Sequence, residues 1–347
     1  MFRQRGSVII IVLWTSVLLT VLVTVMAGKV QLAAKTAFHN QAAVTDLARV
    51  ASAMNQAEME LMLERMSAPI DRVVELDADG NFRDPLYRFN GRPLTLYYPT
   101  DEDMVVRIFD HAGKINLNGI RPAQLQLLIE KRLGPDPDFQ QVQDLLTAWV
   151  DWTDLNDAEG INGADKDYYA SLDPPFTPRN NGELDSVEEL RLIRGFDELF
   201  KDVNLDAAFT IYGNGQNVNL NFATREAMQL LPGLTDEYIE EIIAYREQHD
   251  FRSKQEVGDL LPTENFVELS NWIGFTYTSY FSIFAYPKPV VEDADVDADN
   301  AQEVALDTVT QAYMEIVEVR GYADRARVYK VDPYGRLPDT RPAQVED

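Results

Sequence analysis

The sequence contains no cysteine and only three histidines, and its basic residues are outnumbered by its acidic ones. The lack of cysteine excludes disulfide bonds, thiolate catalysis and cysteine-ligated zinc. With 31 Lys and Arg against 57 Asp and Glu, the formal net charge is −26. This charge disfavours nucleic acid as a partner, because affinity for phosphates rests on basic residues. A hydrophobic content of 46% over 347 residues still predicts a folded core, with room for two domains.

Charge is also absent from residues 7–28, which lie between Arg5 and Lys29. About 20 apolar helical residues span the ~30 Å hydrocarbon core of a bilayer. The basic residues before the run predict a cytoplasmic N-terminus with the rest of the chain outside. A cleaved secretory signal would have a shorter apolar run followed by a small-residue cleavage site. The segment is therefore predicted to be a retained transmembrane helix.

The helical pattern continues beyond the apolar run. Apolar residues recur at alternating steps of four and three, at Ala43, Leu47, Val50, Met54, Ala57 and Leu61. Such spacing places them on one face of a helix. No proline or glycine interrupts residues 29–66. We therefore predict one helix of about 60 residues, half in the membrane and half packed on a domain. The alternative is an ordinary anchor followed by a separate helix.

Strand-like segments flank a long helical block, which predicts an α+β fold with an inserted α-helical domain at 114–272. Segments rich in β-branched and aromatic residues occur at 71–76, 92–99, 104–110, 275–287, 312–322 and 325–332. A shift of the apolar pattern between Ile316 and Val317 predicts an irregularity in one strand. The acidic segment 290–307 is predicted to be a solvated loop, and 337–347 a disordered tail.

The helical block contains an internal repeat. The segment "KINLNGIRPAQLQLLIEKRLG" (114–134) is similar to the segment at 217–253, and both carry Asn-Leu-Asn before a helix. The second copy continues through Leu231, Pro232, Gly233 and Leu234, and resembles a helix-hairpin-helix module of DNA-uptake proteins, spanning 217–262. Four acidic residues follow its turn, at Asp236, Glu237, Glu240 and Glu241. Because they would repel a phosphate, we expect a structural or protein-contact role rather than DNA binding.

Carboxylates are crowded into the segment 150–191, within the block. The candidates for metal ligands are Asp151, Asp154, Asp157, Asp165 and Asp167. Crowded carboxylates repel each other unless they are solvated or hold a cation, and Ca²⁺ takes six to eight oxygen ligands in flexible loops. The spacing departs from an EF-hand loop at Ala158 and Glu159, so a plain charged surface loop is the alternative. Carboxylates for acid–base catalysis would face each other across a cleft, so no catalytic residue is assigned.

The leader "MFRQRG" and the acidic signature "DWTD…GADKDYYASLDPPFTPRN" carry a resemblance to a known family. The leader resembles the class III signal of type IV pilins and pseudopilins. The signature resembles that of the K-type minor pseudopilins of Gram-negative type II secretion systems. The resemblance implies cleavage by prepilin peptidase between Gly6 and Ser7, methylation of Ser7, and calcium bound by the five aspartates. Ile11 stands where most such proteins carry glutamate, which fits a subunit that caps the fibre.

The resemblance also implies an organisation and partners for the whole chain. The expected segments are a leader (1–6), an assembly helix (7–28), a pilin-like helix with the first strands (29–113), the helical domain (114–272) and the C-terminal strands (273–336). The expected partners are the I-type, J-type and H-type minor pseudopilins, the major pseudopilin fibre and prepilin peptidase. We expect a non-enzymatic inner-membrane component with its bulk in the periplasm, initiating or capping the fibre. The alternative is a membrane-anchored DNA receptor for uptake.

Overall fold

The computed structural model describes residues 6–64, 89–94, 96, 103–156, 158–178, 182–289 and 309–339. The chain forms two compact units, residues 1–52 and 53–347, which we describe separately. The predicted strand at 71–76, most of 95–99 and the acidic loop at 290–307 lie outside the described residues.

The first unit consists of the N-terminal part of helix α1, which runs from Gly6 to Glu64. Its 59 residues agree with the predicted helix of about 60. Within the described residues, this is the one helix long and apolar enough to cross a membrane. Its hydroxyl groups bond to carbonyls one turn back, as in Thr24 Oγ1 to Thr20 O at 2.8 Å. Because these hydroxyls are satisfied inside the helix, its surface is suited to an apolar environment.

The second unit is built on an antiparallel sheet. Within the described ranges the sheet has five strands in the order β1-β2-β5-β6-β7. They are β1 (Asn90–Pro93), β2 (Met104–Asp110), β5 (Tyr280–Pro287), β6 (Gln311–Glu318) and β7 (Arg327–Arg336). Strand β2 coincides with the predicted strand 104–110, and the register shift between Ile316 and Val317 confirms the predicted irregularity. The predicted α+β class is confirmed.

Both faces of the sheet are covered at strand β2, since all seven of its residues are buried. Among the residues of α1 in this unit, Met54, Ala57 and Leu61 of the predicted stripe are buried. On the sheet, Phe109 and Phe284 pack edge to face with ring centroids 5.5 Å apart. These apolar contacts stabilise the sheet by removing aromatic and aliphatic surface from water.

A helical domain is inserted between β2 and β5, which are neighbours in the sheet. It has its own core, which includes Trp149, Trp152, Phe196 and Trp272. The described helices of the domain are α2 (Pro122–Leu133), α3 (Phe139–Thr153), α4 (Lys166–Ala170), α5 (Phe196–Leu199), α6 (Leu205–Ala208), α7 (Arg225–Leu230), α8 (Asp236–Gln248), α9 (Lys254–Leu260) and α10 (Thr263–Leu269). Two short parallel strands, β3 (Ile115–Asn116) and β4 (Phe209–Thr210), also lie in it.

The first residues of the predicted tail, which was placed at 337–347, are packed on the sheet. Leu337 is buried and belongs to the apolar cluster of the sheet. Its backbone N–H donates to the Thr310 carbonyl at 3.0 Å. Residues 337–339 are thus part of the folded chain, because one apolar side chain and its backbone bond hold them there. The rest of the predicted tail, 340–347, lies outside the described residues.

Candidate functional site

Asp151 anchors the acidic loop at the C-terminal end of α3. Its carboxylate is 2% exposed and accepts backbone N–H groups of Gly160 at 3.1 Å and Ala164 at 2.8 Å. A Cβ atom on Gly163 would collide with the same carboxylate. The loop backbone therefore wraps closely around one buried aspartate, which holds its shape by hydrogen bonds to a charged acceptor.

The other predicted calcium ligands occupy different positions. Asp165 is buried and caps α4, with Oδ1 accepting the Lys166 N–H at 2.7 Å. Asp154 follows α3 and accepts from the backbone N–H and the side-chain amide of Asn156, at 3.1 and 2.6 Å. Asp167 is exposed in the first turn of α4, and Asp157 lies outside the described residues. The loop thus contains buried aspartates, Asp151 and Asp165, and more exposed ones, Asp154 and Asp167.

The described donor set fits a calcium ion only in part. Among the residues that the structure describes, no three carboxylates or imidazoles come together as a metal site. Both oxygens of Asp151 already accept backbone N–H groups. Asp165 and the loop carbonyls still offer the hard oxygen ligands that Ca²⁺ takes. Calcium binding therefore stays a prediction for this loop.

The helix-hairpin-helix turn is packed inside the helical domain. Leu231 and Leu234 are buried between α7 and α8. Gly233 has a φ of 75°, and a Cβ atom there would collide with the Asn265 backbone carbonyl. Only glycine combines this backbone conformation with such a close approach at low cost.

The carbonyl groups of this turn are bound by neighbouring side chains. Lys131 on α2 donates from Nζ to the carbonyls of Leu231 and Leu234, the latter at 2.8 Å. Asn265 donates to the Gly233 carbonyl at 2.9 Å. Burial lowers the pKa of Lys131 to about 8. These contacts join the turn to two helices of its own domain, which favours a structural role.

The two Asn-Leu-Asn segments make the same hydrogen bonds, which confirms the repeat. In the first copy, Asn118 donates to the Leu184 carbonyl at 3.1 Å and accepts its N–H at 2.8 Å. In the second, Asn221 donates to the Phe251 carbonyl at 3.0 Å and accepts its N–H at 2.8 Å. Each of these asparagines hydrogen-bonds to both the N–H and the carbonyl of one distant residue. In both copies the motif therefore has a structural role, because it joins distant segments of the domain by buried hydrogen bonds.

A buried polar cluster between the sheet and the helical domain was not predicted from the sequence. His111 contacts Thr210 Oγ1 through Nδ1 at 2.7 Å and Ser282 Oγ through Nε2 at 2.8 Å. Lys114 donates from Nζ to Ser282 Oγ at 2.8 Å and to the Asp206 carbonyl at 2.7 Å. We call these five residues the buried junction. His111 and Lys114 are close in the sequence, but their partners are about 90 to 170 positions away, so no local pattern could indicate the cluster.

Burial governs the charge states in the buried junction. It lowers the pKa of His111 well below its usual value, and the neighbouring Lys114 ammonium lowers it further. Burial also lowers the pKa of Lys114 to about 8, partly opposed by Asp206. His111 is therefore neutral at pH 7, while Lys114 donates hydrogen bonds. The cluster has the buried and mutually satisfied groups of a structural network.

Fold and site together define a class of protein: a long apolar N-terminal helix, an antiparallel sheet, and a helical domain inserted between two neighbouring strands. The polar groups of that domain hold its structure.

Residues 113–202 match the sequence model of the family described as type II secretion system (T2SS), protein K. The type II secretion system protein K of Pectobacterium carotovorum subsp. carotovorum is 30% identical over 111 residues, which are 32% of this chain and 33% of that protein. The match thus spans about a third of the relative's length. A chain of the crystal structure of the GspK-GspI-GspJ complex from the enterotoxigenic Escherichia coli type 2 secretion system has a similar fold. The TM-score is 0.51 at 15% identity, over 85% of this chain and 98% of that one.

Residues 113–202 are therefore similar to the type II secretion system protein K family, and the resemblance predicted from the sequence is confirmed.

Proposed function

We propose that this chain is a minor pseudopilin of a type II secretion system and acts as a structural component of the pseudopilus. The observation that carries the proposal is the K-family domain at 113–202, which is inserted between two neighbouring strands of a helix-and-sheet fold. The apolar N-terminal helix supports an inner-membrane anchor, with the bulk of the chain in the periplasm. The main contacts of the acidic loop, the hairpin and the buried junction hold the domain together, which supports a non-enzymatic role.

The proposed position is the tip of the pseudopilus, beside I-type and J-type minor subunits, with the H-type subunit and the major fibre below. Ile11 supports this position, because an apolar residue there needs no charged partner from a subunit above. In this position the chain initiates or caps the fibre.

Co-purification tests the partners. The full chain, tagged at its C-terminus, is expressed in membranes together with I-type and J-type minor pseudopilins and extracted in mild detergent. We expect a complex that contains all three subunits. Ile11→Glu should place an unpaired carboxylate among the apolar helices and reduce recovery of the complex, whereas Ile11→Leu should not. Recovery of this chain without either partner would contradict the proposal.

Maturation is tested by mass spectrometry of the chain isolated from cells that contain prepilin peptidase. We expect a mature chain that begins at Ser7 and carries one methyl group, with Gly6 as the last residue removed. A chain that begins at Met1, or beyond Gly28, would contradict the pilin-type maturation.

Calcium is the proposed ligand of the acidic loop, held by members of the set Asp151, Asp154, Asp157, Asp165 and Asp167. In a thermal unfolding experiment on the full chain in detergent, a calcium chelator should lower the Tm. Added calcium should restore it, while magnesium at the same concentration should not, because Mg²⁺ demands stricter octahedral geometry. An unchanged Tm in all three conditions would exclude the site.

A DNA receptor is the competing proposal, since the hairpin resembles that of DNA-uptake proteins. The hairpin carbonyls already bind Lys131 and Asn265, and α8 begins with Asp236 and Glu237, which would repel a phosphate. We therefore expect no salt-sensitive shift of duplex DNA in a gel-shift assay with the full chain. A shift that is lost on Gly233→Asp would favour the DNA receptor instead.

A further inference from the structure

Arg194, which lies two residues before α5, contacts three separate segments of the helical domain. Its guanidinium group donates from Nη2 to the backbone carbonyl of Asn162 in the acidic loop after α3. The same group lies over the ring of Tyr168 on α4, with Cζ 5.4 Å from the ring centroid. Its backbone N–H donates to the hydroxyl of Tyr169 at 3.2 Å. One half-buried residue therefore joins the loop, α4 and the segment before α5.

The loop residue that Arg194 contacts is part of a tight turn, residues 160–163. The Gly163 N–H donates to the Gly160 carbonyl at 3.0 Å and closes the turn. Asn162 has a φ of 57°, in the left-handed region that asparagine adopts more readily than most non-glycine residues. Ile161 is 90% exposed, so its apolar side chain does not hold the turn by packing. The turn therefore depends on polar contacts with the rest of the domain.

Two charged groups of opposite sign supply these contacts. The buried carboxylate of Asp151 accepts the backbone N–H groups of Gly160 and Ala164. The guanidinium group of Arg194 donates to the Asn162 carbonyl. Hydrogen bonds that involve an ionised group are stronger than bonds between neutral groups. Each of these bonds joins two groups of the protein, so none of them requires a metal ion between its partners.

Tyr169 lies close to both charged groups and fixes the position of Arg194. It is fully buried and packs edge to face on Trp152, with ring centroids 5.1 Å apart. Burial raises the pKa of Tyr169 to about 12, and the charges of Arg194 and Asp151 act on this pKa in opposite directions. Because the Tyr169 hydroxyl accepts the Arg194 N–H, the arginine backbone is held where its side chain reaches the loop.

We propose that Arg194 is a positioning residue for the acidic loop, and that together with Asp151 it holds the turn 160–163 in place before a metal ion binds. The loop then offers its oxygens to calcium in a shape that is already formed, so the ion does not have to order the chain. This second step rests on the proposed function, whereas the contacts of Arg194 do not.

Hydrogen–deuterium exchange of the full chain in detergent, with a calcium chelator present, tests the role of Arg194 directly. In the wild type we expect the Gly160 and Ala164 amides to be protected, because they donate to Asp151 in the closed loop. In Arg194→Met their protection should fall about tenfold, since the Asn162 carbonyl loses a charged donor.

Two further variants control for the charge and for the loss of an arginine. Arg194→Lys keeps the charge and a donor but not the planar group that stacks on Tyr168, so protection should fall by only about threefold. Arg191→Met changes an exposed arginine nearby, which pairs with Asp197 at 3.7 Å, and should exchange as the wild type.

Added calcium separates this inference from the proposed function. A ligand that binds the closed loop raises its population, so calcium should restore protection in Arg194→Met. If calcium changes nothing in either chain while Arg194→Met still exchanges faster, the calcium site fails and the metal-independent role of Arg194 stands.

Three results would overturn the positioning role. The first is equal exchange of the wild type and Arg194→Met in the chelator. The second is a wild-type loop whose amides are unprotected in the chelator, because such a loop needs the metal to form. The third is an equal loss of protection in α8, because Arg194 would then stabilise the whole domain rather than the loop.

Discussion

The acidic loop and the buried junction are both clusters of ionisable groups in one chain, yet they differ in how they are built. In the loop, Asp151 and its backbone donors lie within fourteen residues of each other, and Asp154 and Asp167 reach solvent. In the junction, His111 and Ser282 are 171 positions apart and both are buried. The loop is assembled by local chain geometry, whereas the junction exists only after the sheet and the helical domain have packed.

This difference teaches where polar residues contribute most to stability. A group in the junction has no water to replace a lost partner, so removing one member leaves several others unsatisfied. In the loop, water can satisfy the exposed carboxylates, whereas the buried Asp151 and Asp165 depend on protein partners. The following changes test the comparison, from the largest expected effect to the smallest.

Lys114→Met should be the most damaging of the changes considered. It removes the donor to the Asp206 carbonyl and to Ser282 Oγ while keeping most of the side-chain volume. We expect the free energy of unfolding of the full chain to fall by about 3 kcal/mol, because one buried and one partly buried acceptor lose their donor. Denaturant unfolding in detergent measures this. The matched control is Lys166→Met at an exposed position of α4; an equal loss in both variants would contradict a special role for the junction.

Asp151→Ala should have a smaller effect, confined to the loop. It leaves the backbone N–H groups of Gly160 and Ala164 without their carboxylate acceptor. We expect a loss of about 2 kcal/mol in the free energy of unfolding, and faster hydrogen exchange at residues 158–165. An equal increase of exchange throughout the helical domain would contradict the prediction that Asp151 stabilises only the loop.

The pH dependence of the junction should be smaller again. Because burial lowers the pKa of His111, the folded chain excludes a proton that the unfolded chain binds below pH 6.5. Stability at this residue is therefore present above pH 6.5 and is lost as the pH falls. From pH 7.5 to 5.5 we expect a loss of about 1 kcal/mol.

The His111 effect is isolated by comparing the pH dependence of unfolding in the wild type and in His111→Asn. This comparison cancels the contributions of the other titrating groups, which are common to both chains. His249→Asn, at an exposed histidine, serves as the control. Identical pH profiles for the wild type and His111→Asn would show that the junction histidine has no influence.

The smallest effect is expected for Asp167→Ala, at an exposed position in the first turn of α4. With the carboxylate in solvent, the free energy of unfolding should change by no more than about 0.5 kcal/mol in the absence of calcium. A calcium-dependent difference in Tm between this variant and the wild type would identify Asp167 as a ligand. Equal calcium responses would remove it from the ligand set.

Much of the fold could be predicted from local patterns. The spacing of apolar residues defined helix α1, and β-branched and aromatic residues defined β2 with its correct bounds. The repeat was recognisable because the same Asn-Leu-Asn residues occur in both copies. Both copies need them, since Asn118 and Asn221 make equivalent hydrogen bonds to the backbone. The start of the tail was misjudged, because a polar, proline-containing segment conceals that Leu337 is buried.

The candidate site was predictable only where its residues are close together in the sequence. The aspartates of the loop were evident in the sequence, but which of them would be buried was not. That Asp151 is satisfied by Gly160 and Ala164 depends on how the loop folds back on α3. Lys131 gave no sequence signal at all, since its partners at Leu231 and Leu234 lie about a hundred residues away.

By itself the sequence determined the periodic elements, the apolar N-terminal helix, the acidic balance and the family resemblance, since each of these depends on residues that are neighbours in the chain. The tertiary structure decided which polar side chains are removed from water and which groups they meet there. His111 and Lys114 have ordinary neighbours in the sequence. Burial shifts their pKa values in the folded chain, where they contact Thr210 and Ser282, about a hundred or more residues away. Burial of a polar side chain depends on how the whole chain packs, so the pattern of neighbouring residues does not predict it.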